Sequence, residues 1–140
     1  MKYIIMIIAL SLSLMAADAT KAAKELGIYN DYGTGLKKAK SENKLMILTV
    51  VWNPCGGCDK LVKETLTNTT VKNKLKDYIT VILDYQDKMP KEFHIKMAPK
   101  MFYINPKTEE GIWESMGVIS VKSIMSDFKE AQKMLKETSK

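Results

Sequence analysis

The chain of 140 residues contains two cysteines, Cys55 and Cys58, separated by Gly56 and Gly57. The pair lies between a buried-strand pattern and an amphipathic stretch, at the predicted start of a helix. Free N–H groups and the helix dipole at a helix N-terminus favour a thiolate on Cys55, and the thiolate is the reactive form. Cys58 is one helical turn further on, close enough to attack a mixed disulfide on Cys55. The spacing therefore predicts a redox pair, with Cys55 as nucleophile and Cys58 as resolving thiol.

Other roles for the pair fit less well. A disulfide across two residues removes little chain entropy, and secreted domains stapled by disulfides usually carry several. Structural zinc needs four ligands, and the chain has no second cysteine pair and one histidine, His94. Copper binding by the cysteines with Met97 or Met101 is chemically possible, although methionines in apolar segments more often fill a core. We predict no metal site and no cofactor beyond the Cys55–Cys58 disulfide.

The N-terminus has the pattern of an export signal. Lys2 precedes an apolar run over residues 4–14, and small residues end it at Ala17. The run is too short for a comfortable membrane span. We predict a cleaved signal peptide over residues 1–17, a periplasmic location, and one domain over residues 18–140. An uncleaved anchor is the alternative interpretation.

The charge of the chain comes from lysine alone. There are 22 lysines, no arginine and 16 acidic residues, for a formal net charge of +6. Arginine is the preferred bidentate partner of phosphate, so its absence argues against a nucleic-acid partner. The composition favours a solvated basic surface.

Apolar runs and turn residues predict four strands, four whole helices and the end of a further helix at Leu36–Glu42, with a turn-rich segment over 30–35. The predicted strands are Lys44–Trp52, Ile79–Leu83, Lys100–Ile104 and Gly111–Met116. The predicted helices are Ala19–Ile28, Cys55–Leu66, Thr70–Tyr78 and Val121–Lys136. Two long connections join the first three strands and imply parallel pairing, and a hairpin joins the last two. The expected fold is an α/β three-layer sandwich, a mixed central sheet with helices on both faces.

Three segments carry a resemblance to a known family: Lys38–Lys44, Lys63–Thr65, and Phe93–Pro99 with the strand that follows it. Together with the cysteine pair they resemble the thioredoxin superfamily, in particular its exported thioredoxin-like branch, from about Tyr32 to Leu135. The resemblance implies a cis peptide bond at Pro99, beside the cysteines. It also implies that the backbone of Ala98 pairs with an extended segment of a protein substrate.

The chain departs from that family around the cysteines. Asn53 and Pro54 stand between Trp52 and Cys55, whereas the family commonly has a tryptophan directly before the first cysteine. We expect Trp52 to shelter the site, with Pro54, Gly56 and Gly57 forming the active-site loop. The buried acid and lysine of thioredoxin itself are replaced, the acid by Thr49 and the lysine at Thr80 or Val81. Cys58 therefore has no obvious internal base.

The resemblance implies a periplasmic enzyme that exchanges disulfides with protein substrates. Reduction of clients, with electrons from a membrane partner, matches it best, and the length favours a monomer. The alternative is a non-catalytic thioredoxin-like binding module or a copper metallochaperone.

Overall fold

A computed structural model describes residues 18–140, so the predicted signal peptide lies outside the described residues. In chain order the elements are α1 (Ala19–Leu26), α2 (Tyr32–Glu42), β1 (Met46–Val51), α3 (Gly56–Lys60), a π-helix (Leu61–Leu66), α4 (Thr69–Leu75), β2 (Ile79–Asp84), a 3₁₀ turn (Lys91–Phe93), β3 (Lys100–Ile104), β4 (Gly111–Met116) and α5 (Val121–Thr138). Within the described part of the chain, no helix is long and apolar enough to cross a membrane.

The four strands form one mixed sheet in the order β2-β1-β3-β4. β1 runs parallel to β2 and antiparallel to β3, and β3 pairs with β4 as the predicted hairpin. The expectation that both long connections join parallel strands is therefore wrong for the second one. The connection from β2 to β3 contains only a 3₁₀ turn and brings the chain back antiparallel beside β1. All six residues of β1 are buried, as its unbroken apolar pattern predicts.

Helices cover both faces of the sheet and create two cores. One core lies under α2 and the 3₁₀ turn and receives Met46, Leu48 and Val50 from β1. The other lies under α1, α3, α4 and α5 and receives Ile47 and Val51 from β1. Successive residues of β1 thus enter opposite cores, as strand geometry requires. The arrangement confirms the predicted α/β three-layer sandwich.

Hydrogen bonds fasten α5 to the edge strand β4. The carboxylate of Asp127 on α5 accepts a hydrogen bond from Trp113 Nε1 at 3.2 Å and another from Ser115 Oγ at 2.7 Å. The hydroxyl of Tyr103 lies within hydrogen-bond distance of Ser115 Oγ, at 3.3 Å, and burial raises the pKa of Tyr103. On its core side α5 buries Ile124 and Phe128. The hydrogen bonds to Asp127 hold the end of β4, and the loop that follows β4 lies beside the cysteines.

The segment predicted to be turn-rich is the start of α2. Asp31 caps the helix by accepting a hydrogen bond from the Thr34 N–H at 2.7 Å. Gly35 faces the sheet, where an added Cβ would lie 2.3 Å from Val81 Cγ2. Glycine at position 35 therefore permits close packing of α2 on β2. From sequence alone, a glycine required for packing cannot be distinguished from a glycine that marks a turn.

We expect Gly35→Ala to lower the free energy of unfolding by about 1–3 kcal/mol, because overpacking outweighs the better helix propensity of alanine. Gly33→Ala is the matched control on the same helix, since its Cβ would meet only Asp31 Oδ1, at 3.6 Å. Urea unfolding of both variants measures the difference. Equal stability of the two variants would contradict the close-packing interpretation.

Candidate active site

The cysteine pair lies just beyond the carboxyl end of the central strand. β1 ends at Val51, residues 52–55 cross the end of the sheet, and α3 begins at Gly56 with Cys55 as its N-cap. Two peptide bonds in this region are cis, Asn53–Pro54 in the connection itself and Ala98–Pro99 before β3. Because β3 is antiparallel to β1, its first residue lies at the same sheet edge where β1 ends. Chain topology thus brings Pro99 to the cysteines.

Cys55 and Cys58 form a disulfide with a Cα–Cα distance of 5.2 Å. Cys58 is completely buried, whereas Cys55 is partly exposed. The backbone N–H of Cys58 donates a hydrogen bond to Cys55 Sγ at 3.0 Å, so the sulfur caps the first turn of α3. The same N–H and the helix dipole would stabilise a thiolate on Cys55 after reduction. A partner can therefore reach the sulfur of Cys55, whereas the sulfur of Cys58 is buried in the core.

The two glycines between the cysteines have different surroundings. A Cβ on Gly56 would meet no atom within 4 Å, so this position faces open space. A Cβ on Gly57 would lie 3.4 Å from Pro99 Cδ and 3.5 Å from Val118 Cγ2. Gly57 is therefore the point where the active-site loop contacts the neighbouring loops.

The loop after β4 is a part of the site that sequence reasoning missed. The N–H of Gly117 donates to the Pro99 carbonyl at 2.9 Å, and Gly117 has a φ of 77°, which glycine adopts without strain. Val118, next in the chain, is 49% exposed. In the sequence, Gly117 at the end of a predicted strand indicates a turn. Only the order of the strands in the sheet shows that this turn lies beside the cysteines.

Ala98 has an unpaired backbone beside the disulfide. Ala98 and Cys55 both pack against the edge of the core that contains Cys58. Among the described residues, neither the N–H nor the carbonyl of Ala98 has a hydrogen-bond partner, whereas the carbonyl of Pro99 is paired. A segment of extended chain next to Cys55 could use both free groups of Ala98.

Exposed apolar side chains lie at the same end of the sheet as the cysteines. The indole of Trp52 meets the ring of Tyr85 edge-on, with centroids 5.8 Å apart, and Tyr85 follows β2 directly. The exposed large apolar residues of the described chain are Tyr85, Met97, Met116 and Val118. All four lie next to strand ends at this edge of the sheet. A rim of this kind favours an apolar partner segment.

Three polar atoms on or near the cysteine side of the sheet are buried without a partner. Thr49 Oγ1 and Thr80 Oγ1 have no hydrogen bond within the described chain, nor does Asp59 Oδ1, next to Cys58. Strand alternation directs Thr49 and Thr80 into the same core as Cys58, since Ile47 and Ile82 enter that core. The resemblance predicts Thr49 at the position of the thioredoxin acid and Thr80 or Val81 at that of the lysine. Both side chains are neutral, so the structure gives Cys58 no charged internal base from these two strands.

The residues considered for a metal lie in different environments. Met101 is completely buried on β3 and belongs to the core, and His94 is exposed after the 3₁₀ turn. Met97 is 60% exposed and directly precedes Ala98. No cluster of three or more histidine, cysteine or acidic residues occurs among residues 18–140.

The predicted helix Cys55–Leu66 divides into α3 and a π-helix. A π-turn widens the helix by one residue, and such turns are frequent near functional sites. Within the π-helix, the buried hydroxyl of Thr65 donates to the carbonyl of Ile119 at 2.6 Å. This hydrogen bond joins the helix that begins at the cysteines to the loop that carries Val118.

No protein-family model and no curated protein sequence matches the chain. Solved structures do match it. A thioredoxin from Thermus thermophilus aligns with a TM-score of 0.64 at 12% identity, over 74% of this chain and 85% of that chain. The C-terminal domain of DsbD from Neisseria meningitidis, in its oxidised form, aligns with a TM-score of 0.56 at 14% identity, over 74% and 98%. A protein described as a DsbH oxidoreductase aligns with a TM-score of 0.58 at 15% identity, over 75% and 83%.

These likenesses establish the fold. The described chain has the thioredoxin-like fold, as the resemblance in sequence predicted. The disulfide lies at the start of the helix that follows the central strand, with a proline loop and the loop after β4 beside it.

We expect iodoacetamide to alkylate Cys55 of the reduced protein at least about tenfold faster than Cys58, because only Cys55 combines exposure with a helix N-terminus. Mass spectrometry of peptides after short exposure at pH 7 measures the two rates. The variants Cys55→Ser and Cys58→Ser serve as matched controls, each with one thiol. Faster alkylation of Cys58 in the native protein would contradict the assignment of roles.

Proposed function

We propose that this protein is a thiol-disulfide oxidoreductase that acts on protein substrates through Cys55 and Cys58. The observation that carries the proposal is the disulfide at the N-terminus of α3, with one sulfur partly exposed and the other buried. The thioredoxin and Dsb-type proteins of like fold are consistent with it. The dithiol and disulfide of the pair are the only redox group that the reaction needs.

In the reducing direction, the thiolate of Cys55 attacks one sulfur of a client disulfide. A mixed disulfide forms, and the other client sulfur leaves as a thiolate. Cys58 then loses its proton and attacks Cys55 Sγ, which forms the Cys55–Cys58 disulfide and releases the second client thiolate. The client gains two electrons and the pair loses two. With Thr49 and Thr80 neutral, the Cys58 proton passes to water or to the departing client thiolate.

We propose that Ala98, Pro99 and Trp52 form the client-binding part of the site. The free N–H and carbonyl of Ala98 would pair with an extended client segment, as in strand addition. Pro99 carries a cis bond at the base of this loop, and the apolar rim would contact side chains on either side of the client cysteine. Pro54, Gly56 and Gly57 complete the loop and leave room for the client above Cys55.

We place the reaction in the periplasm, after removal of residues 1–17, with a monomeric protein that reduces its clients. The direction of electron flow depends on the potential of the pair relative to its surroundings. The absence of a charged or imidazole side chain between the cysteines favours a reductase over an oxidase. A membrane protein would then supply the electrons.

We expect Cys58→Ser to accumulate mixed disulfides between Cys55 and client proteins, because the resolving step is blocked. Non-reducing gels of an extract from cells that export the variant, followed by mass spectrometry of the adducts, measure this. Cys55→Ser is the control and should form no adducts. If Cys58→Ser also forms none, the exchange reaction is overturned. Cu(I) titration of the wild type and of Cys55→Ser then tests the metallochaperone alternative.

We expect the pair to titrate against glutathione buffers with a midpoint near −270 mV, the value typical of a reducing thioredoxin. Gly56→His should raise the midpoint by roughly 20–50 mV, since an imidazolium beside Cys55 stabilises the thiolate and 30 mV corresponds to about 1.4 kcal/mol. Gly56 faces open space, so Gly56→Gln is a control of similar size without the charge. A wild-type midpoint between about −180 and −120 mV would contradict the reductase direction.

A further inference from the structure

Two grooves meet at Tyr78, at the end of the molecule opposite the cysteines. Tyr78 directly precedes β2, whereas Cys55 follows the far end of the parallel strand β1. The length of a six-residue strand separates the two positions by roughly 17 Å. Tyr78 is only 7% exposed and forms part of the wall of both grooves, which have volumes of about 410 Å³ and 460 Å³.

Lysines surround both grooves. The first groove lies between the end of α1 and the end of α4 and is lined by Lys24, Lys72 and Lys76. The second lies between α4 and the last turns of α5, and its lysines are Lys74, Lys129, Lys133, Lys136 and Lys140. We call these eight lysines the distal lysine face.

The distal lysine face holds most of the net charge of the protein. It contains eight of the 22 lysines but only three of the 16 acidic residues, namely Glu25, Glu137 and Asp77. The rest of the chain carries 14 lysines and 13 acidic residues and is almost neutral. A solvated surface with lysines distributed evenly would not leave one end of the molecule with this excess.

Within the described part of the chain, most lysines of this face have no carboxylate partner. On the opposite helical layer, Lys38 pairs with Glu42 at 2.8 Å and Lys40 pairs with Glu109. Among the described residues of the distal lysine face, only Lys74 forms an ion pair, with Asp77 at 2.7 Å. The other seven ammonium groups of the face have no carboxylate partner among residues 18–140, and of these Lys76 donates a hydrogen bond to Asn73 Oδ1 at 3.4 Å.

We propose that the distal lysine face binds the anionic headgroups of a phospholipid membrane. Headgroup phosphates present a broad, mobile layer of negative charge, which attracts clustered lysines without fixed geometry. Lysine suits this role as a strongly hydrated point charge, whereas bidentate recognition of single phosphates favours arginine, which the chain lacks. Three helices, α1, α4 and α5, contribute lysines, so the charge spreads over a face rather than a single pocket.

Membrane binding through this face would direct the cysteines away from the bilayer. Cys55 lies at the other end of β1, and the apolar rim around it would remain open to clients. The proposal does not depend on the redox reaction, because none of the lysines of the face belongs to the site.

The test is co-sedimentation of the full chain with vesicles at low salt. Neutral vesicles contain phosphatidylcholine alone, and anionic vesicles contain about one quarter phosphatidylglycerol. The apolar run at residues 4–14 would bind both kinds of vesicle, so the difference between them reports the charge. We expect the wild type to bind anionic vesicles at least about tenfold more tightly than neutral ones, because each lysine near the surface contributes about 1 kcal/mol. Raising the salt to about 0.5 M should abolish the difference.

Two fourfold variants with the same net charge provide the matched comparison. The face variant combines Lys72→Gln, Lys76→Gln, Lys133→Gln and Lys136→Gln. The control variant combines Lys21→Gln, Lys37→Gln, Lys88→Gln and Lys91→Gln, all exposed positions outside the face. The face variant should lose the preference for anionic vesicles, and the control variant should retain it within about threefold.

Three results would overturn the proposal: equal binding of the wild type to neutral and anionic vesicles, an equal loss in both variants, or tight binding to heparin or DNA without binding to anionic vesicles. Client trapping by Cys58→Ser is measured separately, so failure of the membrane proposal leaves the proposed reaction unaffected.

Discussion

Burial of the central strand is the constraint on which the site depends. Every residue of β1 is buried, with partners along both edges and a helical layer on each face. A strand enclosed on all sides has no freedom in register, because a shift by one residue would exchange the contents of the two cores. Its carboxyl end is therefore fixed, and so is the short connection that leads to Cys55. Because the sulfur of Cys55 caps α3, the orientation of that sulfur is fixed as well.

The sulfurs of Cys55 and Cys58 differ in exposure because α3 begins at the surface and runs into the core. Cys55, at the N-cap, is partly exposed and accepts a backbone hydrogen bond, whereas Cys58 lies one turn inside the core. Below it, the unpartnered hydroxyls of Thr49 and Thr80 each cost about 1–3 kcal/mol if no water reaches them. A buried charge at either position would cost more, unless it were paired. Thr49 and Thr80 are neutral side chains, so neither can act as an internal base for Cys58.

Local sequence patterns predicted the position and type of single helices and strands. The unbroken apolar runs of β1 and β2 match their burial, and the helical spacing of Ile124, Phe128 and Ala131 matches the buried face of α5. The pattern could not predict the antiparallel return of β3, because the length of a connection does not fix the direction of the strand after it. It also misread Gly35, since the requirement for glycine comes from Val81, a residue 46 positions away.

The same distinction applies to the site. Cys55 and Cys58 are recognisable from spacing and context, because their roles depend on the helix in which they lie. Gly117 and Val118 are not, because only the order β2-β1-β3-β4 brings the loop after β4 to Pro99 and Gly57. The free backbone of Ala98 is a property of hydrogen bonds that are not made, so no residue type records it, and only the family resemblance predicted a pairing role there.

Charge and redox chemistry occupy opposite ends of the molecule, and screening keeps them independent. The Debye length is about 8 Å at physiological ionic strength, so roughly 17 Å of separation exceeds two screening lengths. The distal lysine face therefore contributes little to the stability of a thiolate on Cys55. That stability must come from groups in contact with the sulfur, of which the described chain provides the Cys58 N–H and the helix N-terminus. In the proposed reaction, the apolar rim and the unpaired backbone of Ala98 would select clients by shape and strand pairing, and the lysines of the distal lysine face would remain free to bind a surface of opposite charge.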